Sequence, residues 1–427
     1  MTGGYTLVRT CRFCHDDLVT VLDLGLRWVS TFPLPGGSLV QAPLDFCRCP
    51  RCGLAQLRHT FDRDQLFRGH YWYRSSVNEL MQAELRDVAQ AALARVTIGP
   101  GDAVIDIGAN DGFLLRQYRD LIPQPGRVIR AGFEPAENVH KDLRDHCEIS
   151  IPDYFDLSTA RRLGLGARAK IVTTIAMIYD VDDLHTFAEA VRGVLHEDGV
   201  WVVQFQDLAQ MIAATAFDNI CHEHVTYPRL TDLCALADEH DLSVVDVEAR
   251  VINGGSLRAY VQHTAHNGGR LRQPAPAVLA QIAHEQAVCT WEALYAFQWR
   301  VGEAARLVRA AVETVREEGK VVDLYAASTK ANTLLQVCEL GGAEIRQAWE
   351  RTVEKIGRMT VTGIPIVSEA EGREDPPDVL LVGAWQFKEA FVRREAAFLT
   401  QGGQMLVPLP AVEIVLADRA GARESEA

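Results

Sequence analysis

Residues 104–115 read Val-Ile-Asp-Ile-Gly-Ala-Asn-Asp-Gly-Phe-Leu-Leu. A short apolar strand carries Asp106, and a turn of small residues (Gly108, Asn110, Asp111, Gly112) then opens a helix. Such a turn at the carboxyl edge of a sheet lets a ligand lie against bare backbone, because glycine has no Cβ to hold it off. About twenty residues on, a second strand over 128–133 ends in Glu134 and Pro135. An acid in that place can accept hydrogen bonds from both hydroxyls of a ribose. The Gly-x-Gly-x-x-Gly of a dinucleotide site is absent, so no pyrophosphate is cradled here. Turn and acid together point to S-adenosylmethionine (SAM). Without a ligand, the same residues are an ordinary strand-to-helix turn of a doubly wound domain.

Cys11 with Cys14, and Cys49 with Cys52, form two Cys-x-x-Cys knuckles. Each brings two thiolates to one tetrahedral Zn²⁺, and the pair completes a four-sulfur shell. With every position filled by protein, that zinc is structural. The 34 residues between the knuckles exceed the usual ribbon spacing, but the added loop costs little closure entropy. Five of the ten cysteines fall within residues 11–52, a clustering that fits metal better than disulfide bridges. Cys47 is a spare alternative ligand and His15 is redundant. Without metal, these residues are free thiols in a small hairpin.

A third cluster, Cys221, His222, Glu223 and His224, follows the strand 201–205 and so sits past the carboxyl edge of the same sheet. Its spacing is not the helical His-Glu-x-x-His of a metalloprotease. In an extended segment, residues i and i+2 share a face, which would put His222 beside His224 and Glu223 opposite. Imidazole titrates near neutrality and suits proton transfer, and Glu223 could orient a ring or a substrate hydroxyl. The alternative is a polar loop whose histidines satisfy backbone groups. Tyr71, Tyr73, Ser75 and Ser76 precede a helix and could cover a site or fill a hinge. Asn253, Gly254 and Gly255 form a turn that exposes backbone N–H groups, with Arg258 adding charge; a plain hairpin is the alternative. Tyr325 to Asn332 form a strand-to-helix turn with Ser328, Thr329 and Lys330 at a helix N-terminus, which suits a diphosphate or a plain N-cap.

These groups need a scaffold. Apolar strands at 103–107, 128–133, 170–176 and 199–205 alternate with helical patterns, which means βαβ units and a parallel sheet. An amphipathic helix over 78–98 leads in, and strands at 243–251 and 256–263 follow. Residues 275–318 read as one long helix or two, bridging to a second α/β unit with strands near 320–325, 364–367, 379–382 and 404–407. The fold class expected is α/β: a small N-terminal zinc-binding module, a Rossmann-like methyltransferase domain and a second Rossmann-like C-terminal domain.

The 427 residues are 48% hydrophobic and 23% charged, ordinary values for a globular protein of two or three domains. A net charge of −14 argues against nucleic acid or a membrane surface as partner. No run of about eighteen apolar residues occurs, and residues 1–5 lack the pattern of a signal peptide, so a cytoplasmic location is expected. A monomer or small homo-oligomer is expected.

In order along nearly the whole chain, these motifs resemble the bacterial nucleotide-sugar C-methyltransferases of the tetronitrose type. The knuckles ending in Cys52-Gly53-Leu54 look like that family's zinc module. Tyr71-x-Tyr73-x-Ser75-Ser76, Asp106 to Leu115, His222-Glu223-His224, Asn253 to Arg258 and Tyr325 to Asn332 look like its successive signatures, and Gly363 to Ile366 and Pro408 to Pro410 fit its C-terminal domain. The resemblance implies a reaction. A base removes the proton beside the ketone of a nucleotide-linked keto sugar, and the enolate takes the methyl of SAM. It implies His224 as base, with Glu223, His222, Tyr73 and Tyr179 in the catalytic group. Asp106, Gly108, Asn110, Asp111, Gly112, Glu134 and Pro135 would hold SAM. Tyr71, Ser75, Asn253, Arg258, Tyr325, Ser328, Thr329, Lys330 and Asn332 would hold the substrate. Three departures stand out: Cys221 replaces a Tyr, Asp180 replaces the His of many members, and the Asn usual before Lys355-x-Gly357 is missing. Methylation of oxygen or of a non-sugar carbon acid, and a binding protein without catalysis, are the alternatives. The units expected are a zinc module over 1–65, a SAM domain over 66–265, a helical connector over 266–318, a nucleotide-sugar domain over 319–416 and a frayed polar tail over 417–427.

Overall fold

A computed structural model describes residues 4–122, 127–266 and 270–417; all but the first residue of the expected tail lies outside the described residues. Every residue of the strand Ala103–Ile107 is buried, so helices must cover both of its faces. Alternate side chains divide between those faces. Val104, Ile171 and Val202 pack under the helices Glu79–Leu93 and Phe113–Leu121, through Val88, Leu114 and Tyr118. Ile105, Val172 and Val203 pack under Leu184–Val194 and Leu230–Glu239, through Val191 and Leu233.

The resulting seven-stranded sheet, numbered by its own strands, runs 3-2-1-4-5-7-6. Strand 1 is Ala103–Ile107, strand 4 is Ala169–Ile175 and strand 5 is Leu195–Gln206. The last pairings, to Ser256–His263 and then Leu242–Arg250, are antiparallel. A six-stranded C-terminal sheet repeats the core order, 3-2-1-4-5-6, with Val322–Tyr325 as its strand 1 and Glu413–Val415 antiparallel at its edge. In each sheet the order reverses between strands 1 and 4, where a doubly wound fold opens a crevice at the carboxyl ends. The molecule is therefore α/β with two Rossmann-like sheets, as the strand pattern predicts.

The N-terminal module is an antiparallel sheet of Val19–Trp28, Gln41–Arg48 and Ala55–Leu57, elements that the sequence pattern does not announce. Its fourth strand is Thr226–Tyr227, contributed from beyond the His-Glu-His triplet. The thiols of Cys11, Cys14, Cys49 and Cys52 all lie within 4.8 Å of one another. Sulfurs about 2.3 Å from one zinc lie closer together than that, so the donor set fits a tetrahedral ion. Cys47 turns away to Asp45 and Thr20, and burial pushes its thiol up to about 12.

The module also grips the C-terminal half. Gln336 accepts from the Trp28 N–H at 2.6 Å, and Asn332 donates to Ser30 Oγ and the Thr31 carbonyl at 3.0 and 3.1 Å. The connector is two helices, Pro276–Val288 and Trp291–Glu317, broken where Thr290 caps the second. The first packs on Leu242–Arg250, and the second places Phe297, Val308 and Val312 in the core of the C-terminal half. Among the described residues no helix is long and apolar enough to cross a membrane.

Because two segments distant in the chain converge on the thiol cluster, its metal should carry stability. Cys49→Ala is expected to abolish bound zinc, measured by elemental analysis, and to lower Tm by roughly 5–10 °C. Loss of the metal with an unchanged melting curve would contradict this.

Candidate active site

A cavity of about 1080 Å³ opens at the switch point of the larger sheet, large enough for two small-molecule ligands. Gly108 follows strand 1 into it, Ala176 follows strand 4 and Gln206 ends strand 5. Tyr71, Tyr73, Ser75, Asn110, Glu134, Pro135, Tyr179, Glu223, His224, Asn253, Thr329 and Lys330 all line this one cavity.

On the glycine-turn side, the Glu134 carboxylate accepts the backbone N–H groups of Asn110 and Ala136, each at 2.8 Å. Those bonds fix the carboxylate and leave lone pairs free for ribose hydroxyls. Burial pushes its pKa up to about 7, against the two N–H donors that pull it down. Gly108 has φ +71°, and a Cβ there would lie 3.3 Å from Met177. Phe133, Phe155 and Phe187 supply apolar wall. These residues fit an adenosyl group.

Asn110 has a second task. Its amide donates to the Tyr73 carbonyl and accepts from the Ser75 N–H, both at 3.0 Å, while Asp111 accepts the Ser76 N–H at 3.0 Å. The aromatic strap 71–76 is thus pinned onto the glycine turn. Asp111 and Gly112 do not line the cavity; the first holds the strap and the second starts the helix at φ +78°. Asp106 lies beneath the turn, where the Thr173 hydroxyl donates to it at 2.6 Å, and burial raises it to about 7.

The triplet is a turn rather than an extended strand: the His224 N–H bonds the Cys221 carbonyl at 3.1 Å. The expected pairing of His222 with His224 is therefore reversed. His222 points into the N-terminal module, its Nε2 on the Ala42 carbonyl at 3.0 Å and its ring against Phe61. Glu223 and His224 share the cavity instead. His224 Nδ1 is 2.9 Å from the Asn219 carbonyl, which can only accept, so Nδ1 carries the hydrogen and Nε2 the lone pair. Its ring packs edge-on to Tyr179 with centroids 4.5 Å apart. Burial, then the nearby Lys330 ammonium, drives the His224 pKa down to about 3. Burial raises Glu223 to about 7, opposed by Lys355. Ligand atoms of Cys221, Glu223 and His224 lie within 4.8 Å of one another.

Four substrate-side candidates are spent on structure. Arg258 is fully buried, with its guanidinium on Glu84, Asp87 and Gln204 at 2.7–2.8 Å. Tyr325 donates its hydroxyl to Glu395 at 2.8 Å in the C-terminal core. Ser328 caps the helix Thr329–Val337, and Asn332 grips the N-terminal module. Motif spacing places all four near a turn but says nothing of which way they face. Thr329 and Lys330 do reach the cavity, Lys330 with its ammonium 3.4 Å from the Asn253 carbonyl. Gln206 and Asp180 also line the cavity and were not among the candidates. Asp180 had a signal, its place in the turn after strand 4.

Breaking the buried Arg258 cluster should be structural in effect. Arg258→Met removes one of two cations from Glu84, which keeps Arg250 at 2.8 and 2.9 Å, and is expected to cost roughly 1–3 kcal/mol in chemical denaturation, with substrate KM of the folded enzyme unchanged. A KM rise at unchanged stability would return Arg258 to the site.

Residues 11–67 match the family described as "Putative zinc binding domain", residues 77–247 "Methyltransferase domain" and residues 251–410 "C-methyltransferase C-terminal domain". C-methyltransferase NovU of Streptomyces niveus is 32% identical over 425 residues, covering 96% of this chain and 97% of NovU. Among solved structures, the CcbJ methyltransferase from Streptomyces caelestis is 15% identical, covering 45% of this chain and 99% of its own, with a TM-score of 0.34. The mitomycin 7-O-methyltransferase MmcR is 15% identical at a TM-score of 0.33; the match covers 43% of this chain and 54% of MmcR, about half its length. With a relative of this similarity along nearly its full length, the chain belongs to the C-methyltransferase family, as a SAM-dependent enzyme with a zinc-binding N-terminal module.

Proposed function

We propose that the chain methylates the carbon beside the ketone of a nucleotide-linked keto-deoxysugar, with Nε2 of His224 as the base. The observation that carries this reading is the orientation of His224. Its ring lines the same cavity as Gly108 and Glu134, and its Nδ1 is committed to the Asn219 carbonyl. The lone pair on Nε2 is then the one left to take a proton.

When bound, SAM supplies a methyl group made electrophilic by its positive sulfur. Glu134 and the Gly108 turn hold the ribose and the backbone-facing side of that ligand, and Tyr71 and Tyr73 exclude water above it. His224 accepts the α-proton at Nε2. A base with so low a pKa is neutral throughout the working range and needs help to hold the proton it takes. The Glu223 carboxylate, within 4.8 Å, stabilises the imidazolium as it forms. Thr329 and Lys330, at the start of a nine-residue helix, receive the diphosphate. In this reading residues 1–65 brace the site, 66–265 bind SAM, 266–318 connect, and 319–416 take the nucleotide sugar. His222, Arg258, Tyr325, Ser328 and Asn332 support these parts without touching the ligands.

With a suitable dTDP-keto-deoxysugar, the α-hydrogen should exchange with solvent deuterium, and the methylated product should show a C–CH₃ rather than an O–CH₃ signal by NMR. His224→Ala is expected to slow exchange by about 10²–10⁴-fold. Exchange at the wild-type rate in that variant would remove His224 as base. Glu223 is protonated below about 7 and ionised above it, so kcat should rise as pH passes through that value. Glu223→Gln should flatten this acid limb; an unaltered limb would assign it elsewhere.

A further inference from the structure

Asp180 stands in the turn Ile178–Asp180 after strand 4 and lines the cavity beside Tyr179 and Glu223. Its Oδ1 is buried without a hydrogen-bond partner, and no bond from another described residue reaches its other oxygen. A half-buried carboxylate left this way would carry an unpaired charge, which proteins avoid by pairing or by neutralisation. Among the described residues no cation acts on Asp180: the charge that does is that of Glu223, a second carboxyl facing the same space. Two like groups facing one cavity cannot both ionise easily. Burial acts against the charge of both, but Glu223 has Lys355 on its side whereas Asp180 has only the like charge of Glu223, so Asp180 is the one that stays protonated.

We propose that the protonated Asp180 carboxyl is a catalytic hydrogen-bond donor, aimed at the ketone oxygen of the substrate and at the enolate oxygen that forms from it. The inference rests on the ketone chemistry argued above for His224. In the step, the C–H bond breaks, its proton goes to His224 Nε2, and its electron pair becomes the C=C bond of the enolate. The negative charge on oxygen is held by the Asp180 O–H, and Asp180 keeps its proton. The carbon then forms the new C–C bond while the sulfur–methyl bond breaks, with that pair remaining on sulfur. A neutral acid is the better donor here, because an ionised one would repel the enolate.

Two measurements decide it. The first needs no substrate. The infrared difference spectrum of wild type against Asp180→Asn should contain a carboxylic-acid carbonyl band at neutral and mildly alkaline pH; its absence overturns the proposal. The second follows α-hydrogen exchange into deuterated buffer for a panel of 3-keto and 4-keto dTDP-deoxyhexoses, with S-adenosylhomocysteine present. Asp180→Ala should lose about 10²–10³-fold, while Asp180→Asn, whose amide N–H can still donate, should stay within about tenfold of wild type. An Asn variant as slow as Ala, or an Ala variant as fast as wild type, overturns the donor role. A wild-type enzyme that exchanges none of the panel overturns the ketone chemistry instead, and the infrared band still decides the protonation of Asp180.

Discussion

Everything in the cavity depends on three residues that follow the turn of Glu223 and His224. Val225 donates its N–H to the Tyr179 carbonyl and accepts the Leu57 N–H on its other side, both at 2.9 Å. Thr226 and Tyr227 then continue as an edge strand on Gln56 and Ala55. One short stretch of backbone is therefore shared between the large sheet and the zinc module. Backbone hydrogen bonds allow little slack, so Glu223 and His224 are held where the two bodies meet. The metal, thirty-odd residues of hairpin and an added strand amount to a brace for one turn.

The cavity's electrostatics follow from the same enclosure. Desolvation is the first cause of every shift at its centre: it lowers His224 and Lys330 and raises Glu223, Glu134 and Asp180. Burial thus favours the uncharged form of each group. What distinguishes them is the neighbour. Lys330 keeps Asp218 for company, and Asp218 in turn accepts the Trp385 indole N–H at 2.9 Å.

The parts legible from the amino-acid sequence were those in which one residue type can do only one thing. Strand 1 is apolar but for Asp106 because both its faces are covered, and glycine at φ +71° announces the turn after it. The four thiols were legible because knuckle spacing is itself the geometry of a metal shell. Polar residues with several uses were not. Arg258 and Asn332 sit in motifs that also contain cavity residues, and only packing decides that one serves Glu84 and the other Ser30. An extended chain would put His222 and His224 on one face, whereas the bond from His224 N–H to the Cys221 carbonyl closes a turn and separates them. The strands of the zinc module hide because their pairing slips register twice between Val19–Trp28 and Gln41–Arg48, which breaks the alternation that would mark them.

The aromatic strap has a further tie. Arg74, within it, reaches Asp142 and the Asn138 carbonyl beside the larger sheet and Glu354 in the C-terminal half. Tyr71 and Tyr73 consequently belong to neither half alone. Were the halves to swing apart, the Arg74–Glu354 pair would have to part, because Asn110, Asp111, Asn138 and Asp142 hold the strap to the side of the glycine turn. The roof of the cavity and its far wall are thus joined through one guanidinium.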